Sequence, residues 1–273
     1  MKIKLLQFTD LHLKELPFDE KDVKTLSLIE RLVIEEKPEL IIFTGDIVWG
    51  TVIDSPLETF EAFITFCNSL DTQIGITYGN HDVVLGEQKR ELYRELEASL
   101  LHPVKKKNVQ IIDNRENFCI EIEGTDVPIV VMDSGGYQRS IISKYDYLLS
   151  EQINWFDCMI EKYTKAKDVL IFQHIPLIEY LEAYKNNRPA NYTTNVRVDG
   201  PDLNTGFFSK LLEKKKKVTL SVGHNHENNF QTDYLGVDLM FGQLTGYSPI
   251  TDIKRGARKF IISKEGIEST NIY

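Results

Sequence analysis

The chain has 273 residues, 42% hydrophobic and 27% charged, which excludes a disordered or fibrous protein and supplies ample apolar material for a core. Its 32 basic and 41 acidic residues give a formal charge of −9, which disfavours long nucleic acid as a partner because phosphate neutralisation needs Lys and Arg. Three widely spaced cysteines without a CxxC pair, Cys67, Cys119 and Cys158, are expected as reduced thiols packed in the core of a cytoplasmic protein.

The first residues, MKIKLLQFTD, read as a strand and not as a signal peptide. KTLSLIERLVIEE follows, with Leu28, Ile29, Leu32 and Val33 on one helical face. LIIFTG is a second strand, and SPLETFEAFITFCNSL a helix opened by Ser55 and Pro56. QIGITYG is a third strand. The lysines of Lys105–Lys107 read as solvated loop. PIVVMDS is a strand, LLSEQINWFDCMIEKY a helix capped by Ser150, and DVLIFQH another strand. The polar stretch 184–206 reads as a substrate-facing loop. NTGFFSKLLEKKKK is a helix whose last lysines, Lys214–Lys217, read as a solvated, dipole-complementing end. VTLSVGH is a strand, and two hairpins close the chain, turning at Leu235-Gly236 and Glu265-Gly266. The alternation predicts an α/β fold with helices covering mixed sheets, in a single domain spanning 1–273. No apolar stretch approaches the ~20 residues that cross a bilayer, so no membrane partner is expected.

Most of the apolar runs end in side chains that can hold a metal. They give Asp10 and His12 in FTDLH, Asp46 in FTGDIVWG, Asn80 and His81 in YGNHD, His174 in FQHIP, and His224 and His226 in VGHNH. Only His102, of six histidines, lies elsewhere. Singly, a Gly-Asp pair is a turn and a strand-end histidine a satisfied core residue. Together, strands that converge these groups bury several negative charges, which is costly unless cations neutralise them. Carboxylate and imidazole ligands suit Mn, Fe or Zn, and this many residues serve two ions about 3.5–4 Å apart.

The ordered set DLH, GD, GNHD, H and GHNH resembles the calcineurin-like metallophosphoesterase superfamily, over residues 8–226. The resemblance implies a four-layer α/β/β/α sandwich of two mixed sheets flanked by helices. It assigns Asp10, His12 and His226 to one metal, Asn80, His174 and His224 to the other, and Asp46 to both. His81 is then the catalytic residue, facing phosphate and acting at the leaving oxygen. Gly79 is expected to allow the turn that sets Asn80 and His81, and Asp82 either to orient this loop or to start a helix. Trp49 departs from the family pattern. It stands where purple acid phosphatases keep a tyrosine and protein serine/threonine phosphatases an aspartate. An iron-loaded protein should therefore lack tyrosinate colour unless Tyr78 or Tyr137 reaches the iron. The stretches MDSGGY, SEQINWF, HIPLIEY, NTGFFSKLLE, GHNHENNF and GARKFII are similar to the plant and fungal purple-acid-phosphatase-like branch without that tyrosine.

The implied chemistry is phosphoester hydrolysis by two divalent or mixed-valence transition-metal ions. A metal-bridging hydroxide attacks and His81 serves the leaving group. A phosphomonoesterase acting on a small metabolite or a phosphoprotein is the first reading. A phosphodiesterase acting on a cyclic nucleotide or another small diester is the second. A non-catalytic metal-binding scaffold is the third. Trp49, Tyr137, Tyr247 and Arg255 or Arg258 are candidates to shape the pocket, with sheet-edge packing the plainer role for the aromatics.

Overall fold

The computed structural model describes residues 2–138, 142–187 and 198–273. Its elements run β1 (Ile3–Phe8), α1 (Glu20–Glu36), β2 (Leu40–Thr44), α2 (Pro56–Cys67), β3 (Gln73–Thr77), α3 (Arg90–Glu97), β4 (Lys106–Ile112), β5 (Arg115–Ile120) and β6 (Ile129–Met132). They continue as α4 (Ser150–Ile160), β7 (Asp168–Phe172), α5 (Glu179–Asn187), α6 (Phe207–Glu213), β8 (Lys217–Val222), β9 (Gln231–Tyr234), β10 (Val237–Phe241), β11 (Ala257–Ser263) and β12 (Gly266–Ile272).

Two mixed sheets form, ordered β12-β11-β1-β2-β3 and β4-β5-β6-β7-β8-β10-β9. β1, β2 and β3 are parallel, as are β6, β7, β8 and β10. Three apolar clusters separate the layers. Leu28, Ile29 and Leu32 of α1 and Phe60 and Phe63 of α2 cover the first sheet. Phe156 of α4, Tyr180 of α5 and Phe207 of α6 cover the second. Leu5, Ile42, Val131, Leu170, Phe172 and Phe260 fill the space between sheets. The result is an α/β/β/α sandwich, as the resemblance implies.

Local chemistry explains the element ends. The Asp19 carboxylate accepts the Lys21 and Asp22 amides at 2.7 and 3.0 Å and starts α1, satisfying donors the helix leaves open. Lys37 ends α1 in the left-handed region, at φ 48°. Both expected hairpins form. The first turns at Leu235-Gly236 between β9 and β10, as expected, and the second one residue earlier than expected, at Lys264-Glu265, with Gly266 already in β12 and paired with Ser263. Ser150 proves to be the first residue inside α4, and the Gln152 side chain accepts the Leu149 amide instead, at 3.1 Å.

Three surface expectations need correction. Lys106 begins β4 and is tucked between Glu97 and Glu116 at 2.7 and 2.6 Å, because an ion-paired lysine can be covered where a lone one cannot. Lys214 pairs with Asp157 and Glu161, and Lys216 donates to the carbonyls of Tyr163 and Ala166. Those side chains anchor the α6–β8 junction. Cys67 and Cys119 are buried, but Cys158 lies on the outer face of α4 and is exposed.

Parallel strands point their carboxyl ends the same way, and a polar bridge joins the sheets just below that edge. Ser221 on β8 donates to Gln7 on β1 at 2.6 Å, and the Gln7 amide donates to Thr44 on β2 at 2.9 Å. This link brings the end of β8 to the ends of β1 and β2. Among the described residues, no helix is long and apolar enough to cross a membrane.

Candidate metal centre

Every candidate ligand leaves the carboxyl end of a parallel strand. Asp10 and His12 follow β1, Asp46 follows β2, Asn80 and His81 follow β3, His174 follows β7, and His224 and His226 follow β8. Four of them adopt the left-handed backbone that L residues avoid: Asp10 (φ 56°), His12 (51°), Asp46 (50°) and His224 (74°). Such conformations cost roughly 1–3 kcal/mol each and persist where surroundings enforce them. Here the enforcement is visible. The His12 amide donates to Asp46 O at 3.0 Å and the Asp10 amide to Gly45 O at 3.1 Å. The His224 amide donates to the Asp10 carboxylate at 3.0 Å.

Ligand-capable atoms of Asp10, His12, Asp46 and His226 lie within 4.8 Å of one another, and so do those of Asp46, His174 and His224. Asp46 belongs to both groups. Asn80 Oδ1 joins the second, 2.6 Å from His224 Nδ1 and 3.2 Å from His174 Nε2. His12 Nε2 and His226 Nε2 stand 2.8 Å apart in the first.

The donor set fits cations. His174 Nδ1 donates to Thr44 O at 2.8 Å, which turns Nε2 toward Asp46 Oδ2 at 3.2 Å and toward Asn80 Oδ1. Lone pairs therefore converge from an imidazole, a carboxylate and an amide. His12 is fully buried and has no hydrogen-bond partner at Nδ1, so its ring is held at Nε2, within the cluster. Burial alone would lower His174, but Asp46 outweighs it and raises the imidazole to about 9. Burial also opposes ionisation of Asp10, yet the hydrogen bond from His226 and the neighbouring imidazoles hold it at about 2. Burial and His174 push His224 down to about 3, and burial with His226 pulls His12 well below its usual range. The pocket keeps Asp10 ionised and attracts positive charge, while burial favours the neutral, ligating form of His12 and His224.

Close backbone approach is part of the construction. A Cβ on Gly79 would collide with the Asp46 carboxylate and lie 2.7 Å from His174 Nε2. One on Gly223 would collide with the Thr9 hydroxyl and lie 2.8 Å from Asp10. Gly79 does not have positive φ, so lack of space, not turn geometry, requires glycine there.

Asp82 orients the loops. Its carboxylate accepts the amides of Ile47, Val48 and Gly79 at 2.9, 3.0 and 2.7 Å, tying the Asp46 loop to the Asn80 loop. Behind it sits Arg90, fully buried, paired with Asp133 at 3.1 Å and donating to the carbonyls of Gly79, Asp82 and Gly135. Arg90 carried no sequence signal.

His81 belongs to neither cluster but stands against the first, its ring edge-on to His12 with centroids 5.0 Å apart. Its amide donates to Asp46 Oδ1 at 2.7 Å. Its ring lies between Thr51 Oγ1, 2.5 Å from Nδ1, and the Tyr137 hydroxyl, 3.1 Å from Nε2. Trp49 packs on His12, ring centroids 4.9 Å apart, and stands edge-on to His81 at 6.2 Å. Tyr78 is bonded to Glu97 at 2.9 Å inside the core and faces away. Arg255 donates to the carbonyls of Gly246, Pro249, Thr251 and Ile253. Arg258 donates to those of Phe241 and Asn229, so both arginines brace backbone and do not line the pocket. Tyr247 lies under Lys24 and Arg255. Of the expected substrate-facing stretch 184–206, residues 188–197 lie outside the described residues.

Residues 3–228 match a family model described as calcineurin-like phosphoesterase. The chain is 25% identical over 296 residues to an Arabidopsis thaliana protein named probable inactive purple acid phosphatase 14, covering 90% of this chain and 71% of that one. It is 26% identical over 261 residues to phosphatase DCR2 of Saccharomyces cerevisiae, covering 84% of this chain and 45% of that protein. The crystal structure of a dimetal phosphatase from Danio rerio shares the fold, with a TM-score of 0.64 at 15% identity over 99% of this chain and 98% of that one.

Proposed function

The chain belongs to the calcineurin-like phosphoesterases, and from that premise we propose that it hydrolyses phosphate monoesters, of a small metabolite or a phosphoprotein, with two transition-metal ions. The observation that carries this reading is the pair of ligand clusters sharing Asp46. Asp10, His12 and His226 would hold one ion, and Asn80, His174 and His224 the other. The mixture of carboxylate, imidazole and amide donors favours Mn, Fe or Zn. We place the chain nearest the purple-acid-phosphatase-like branch without the tyrosine ligand. Residues 1–273 are read as one domain of a cytoplasmic enzyme.

Bound cations there supply Lewis acidity toward phosphoryl oxygens and lower the pKa of water. The protein's own groups do the rest. Asp46 holds the two clusters together and fixes the His81 amide at 2.7 Å. His81 presents Nε2 at the site mouth, where a proton on that atom serves the leaving oxygen. Asp82 fixes the two loops through three backbone amides, so that neither ligand loop must reorganise on binding. Trp49 and the buried clusters exclude bulk water from one side of His12.

The test is a screen of metal-reconstituted protein against paired esters, 4-nitrophenyl phosphate and bis(4-nitrophenyl) phosphate. The reading expects higher kcat/KM on the monoester. Faster turnover of the diester would make it a phosphodiesterase, and hydrolysis of neither, with both metals bound, would make it a scaffold.

A further inference from the structure

His81 is the middle of a three-residue chain drawn from three separate loops. Thr51, after β2, meets its Nδ1 at 2.5 Å. Tyr137, after β6, meets its Nε2 at 3.1 Å, with the phenol ring edge-on to the imidazole and the centroids 5.5 Å apart. The Asn80 side chain is the second polar neighbour of the Tyr137 hydroxyl. That hydroxyl therefore lies between the imidazole assigned to the leaving group and an amide assigned to a metal.

The loop that carries Tyr137 is built to hold it there. The Gly136 amide donates to Asp146 at 2.8 Å and the Asp146 amide returns a bond to Gly136 O at 2.8 Å. Gln88 and Arg115 fix the same carboxylate at 2.9 and 3.2 Å. A Cβ on Gly136 would lie 3.2 Å from Asn80 Cα, so the loop is pressed against the ligand turn. On its other side Tyr137 packs on Tyr145, at 5.6 Å, and Tyr145 packs on His224, at 4.4 Å. Yet Tyr137 remains 36% exposed. A tyrosine kept for packing buries its ring and lets its hydroxyl reach water. The Tyr137 hydroxyl is instead taken up by His81 Nε2 and the Asn80 side chain.

We propose that Tyr137 is a catalytic residue of this site, whose hydroxyl donates a hydrogen bond to the ester oxygen of the leaving group beside His81 Nε2, with Thr51 positioning the imidazole. The proposal rests on the phosphoesterase reading above. In the hydrolysis a water oxygen bonds to phosphorus, and the bond from phosphorus to the ester oxygen breaks with its electron pair on that oxygen. The oxygen takes one proton, from His81 Nε2, and the proton given up by the attacking water restores His81. Tyr137 keeps its own proton throughout and holds the oxygen as charge grows on it, work suited to a preorganised donor.

The experiment compares the reconstituted full chain with Tyr137→Phe, Thr51→Val and Thr51→Ser. Turnover is measured on phenyl phosphate and 4-nitrophenyl phosphate, orthophosphate binding by calorimetry, and metal content by elemental analysis. Tyr137→Phe should keep both metals and bind orthophosphate less tightly. Its kcat on phenyl phosphate should fall about 10–100-fold, the worth of one hydrogen bond to a charged oxygen, with a smaller loss on the nitrophenyl ester. Thr51→Val should lower kcat with KM unchanged, and Thr51→Ser should restore it. Equal losses on both esters, no loss on either, or loss of metal from Tyr137→Phe would overturn the assignment. If the parent turns over neither ester, the phosphoesterase reading fails separately. Orthophosphate then decides on Tyr137 alone: weaker binding by Tyr137→Phe supports the contact, and unchanged binding overturns it.

Discussion

Two of the groups of charged residues set into this fold are balanced in different ways. At one end of β4, Lys106 lies between Glu97 and Glu116, and Glu97 also accepts from Tyr78 at 2.9 Å. That group completes itself with side chains. At the carboxyl ends of β1, β2, β3, β7 and β8, two carboxylates, four imidazoles and an amide converge with no lysine or arginine among them. Burying charge is tolerable only with a partner. The first group contains its partner, and the second is built to receive one. The difference separates the two groups more sharply than their degree of burial, since each mixes buried and partly exposed members: Glu97 with Lys106 in the first, His12 with His226 in the second.

Substitutions should separate the two groups, and the largest effect falls on the shared carboxylate. Asp46→Asn should cut metal content from near two ions per chain to below one. Hydrolysis should fall by more than the roughly 10–100-fold that loss of an outer partner costs. Full metal retention would place the bridging role elsewhere. Next is His81→Ala, which belongs to the site but to neither cluster. It should retain both ions and lose about 10²–10⁴-fold in turnover on esters with poor leaving groups, with a smaller loss on nitrophenyl esters. A variant lacking one ion would make His81 a ligand.

Lys106→Met tests the self-contained group. It leaves Glu97 and Glu116 facing each other, and urea unfolding should show a loss of about 3 kcal/mol, toward the lower end for a broken buried pair because Lys106 keeps some solvent contact. Metal content should not change, and a drop in it would couple the two groups. The smallest effect is on pH dependence. Burial would lower Lys106, but Glu97 and Glu116 outweigh it and raise it above its usual 10.5. The folded state then binds this proton more tightly than the unfolded state. Its stabilisation is complete below 10.5 and declines as pH rises through the folded value. Unfolding measured across that window should show a steeper alkaline decline for the parent than for Lys106→Met. Equal slopes would remove the lysine from the account.

The site was far more legible than its supports. Asp10, Asp46, His174 and His224 each end an apolar run, so strand pattern and ligand chemistry coincide in the sequence. Asp82 was visible as part of GNHD, although only the three amides it accepts decide between loop orientation and a helix start. Arg90 is one arginine in the polar segment after GNHD, and nothing local marks it as the residue that bonds three loop carbonyls. A lysine run such as Lys105–Lys107 looks solvated until the partners of Lys106, nine residues before and ten after, are brought beside it by folding. Strands β4 and β5 are hard to see in the sequence for a similar reason. Their residues KKNVQII and RENFCI mix charge with short apolar stretches. Thr51 is an ordinary turn residue until His81 is placed against it. Contacts between loops, unlike the ends of strands, leave no period in the sequence.

Elemental analysis paired with a chelation cycle tests the central claim most directly. Protein reconstituted with Mn²⁺, Fe²⁺ or Zn²⁺ should hold close to two ions per chain. It should lose phosphoester hydrolysis when the ions are stripped and regain it when they return. An empty site after reconstitution, or hydrolysis that persists in the stripped protein, would contradict a two-metal phosphoesterase.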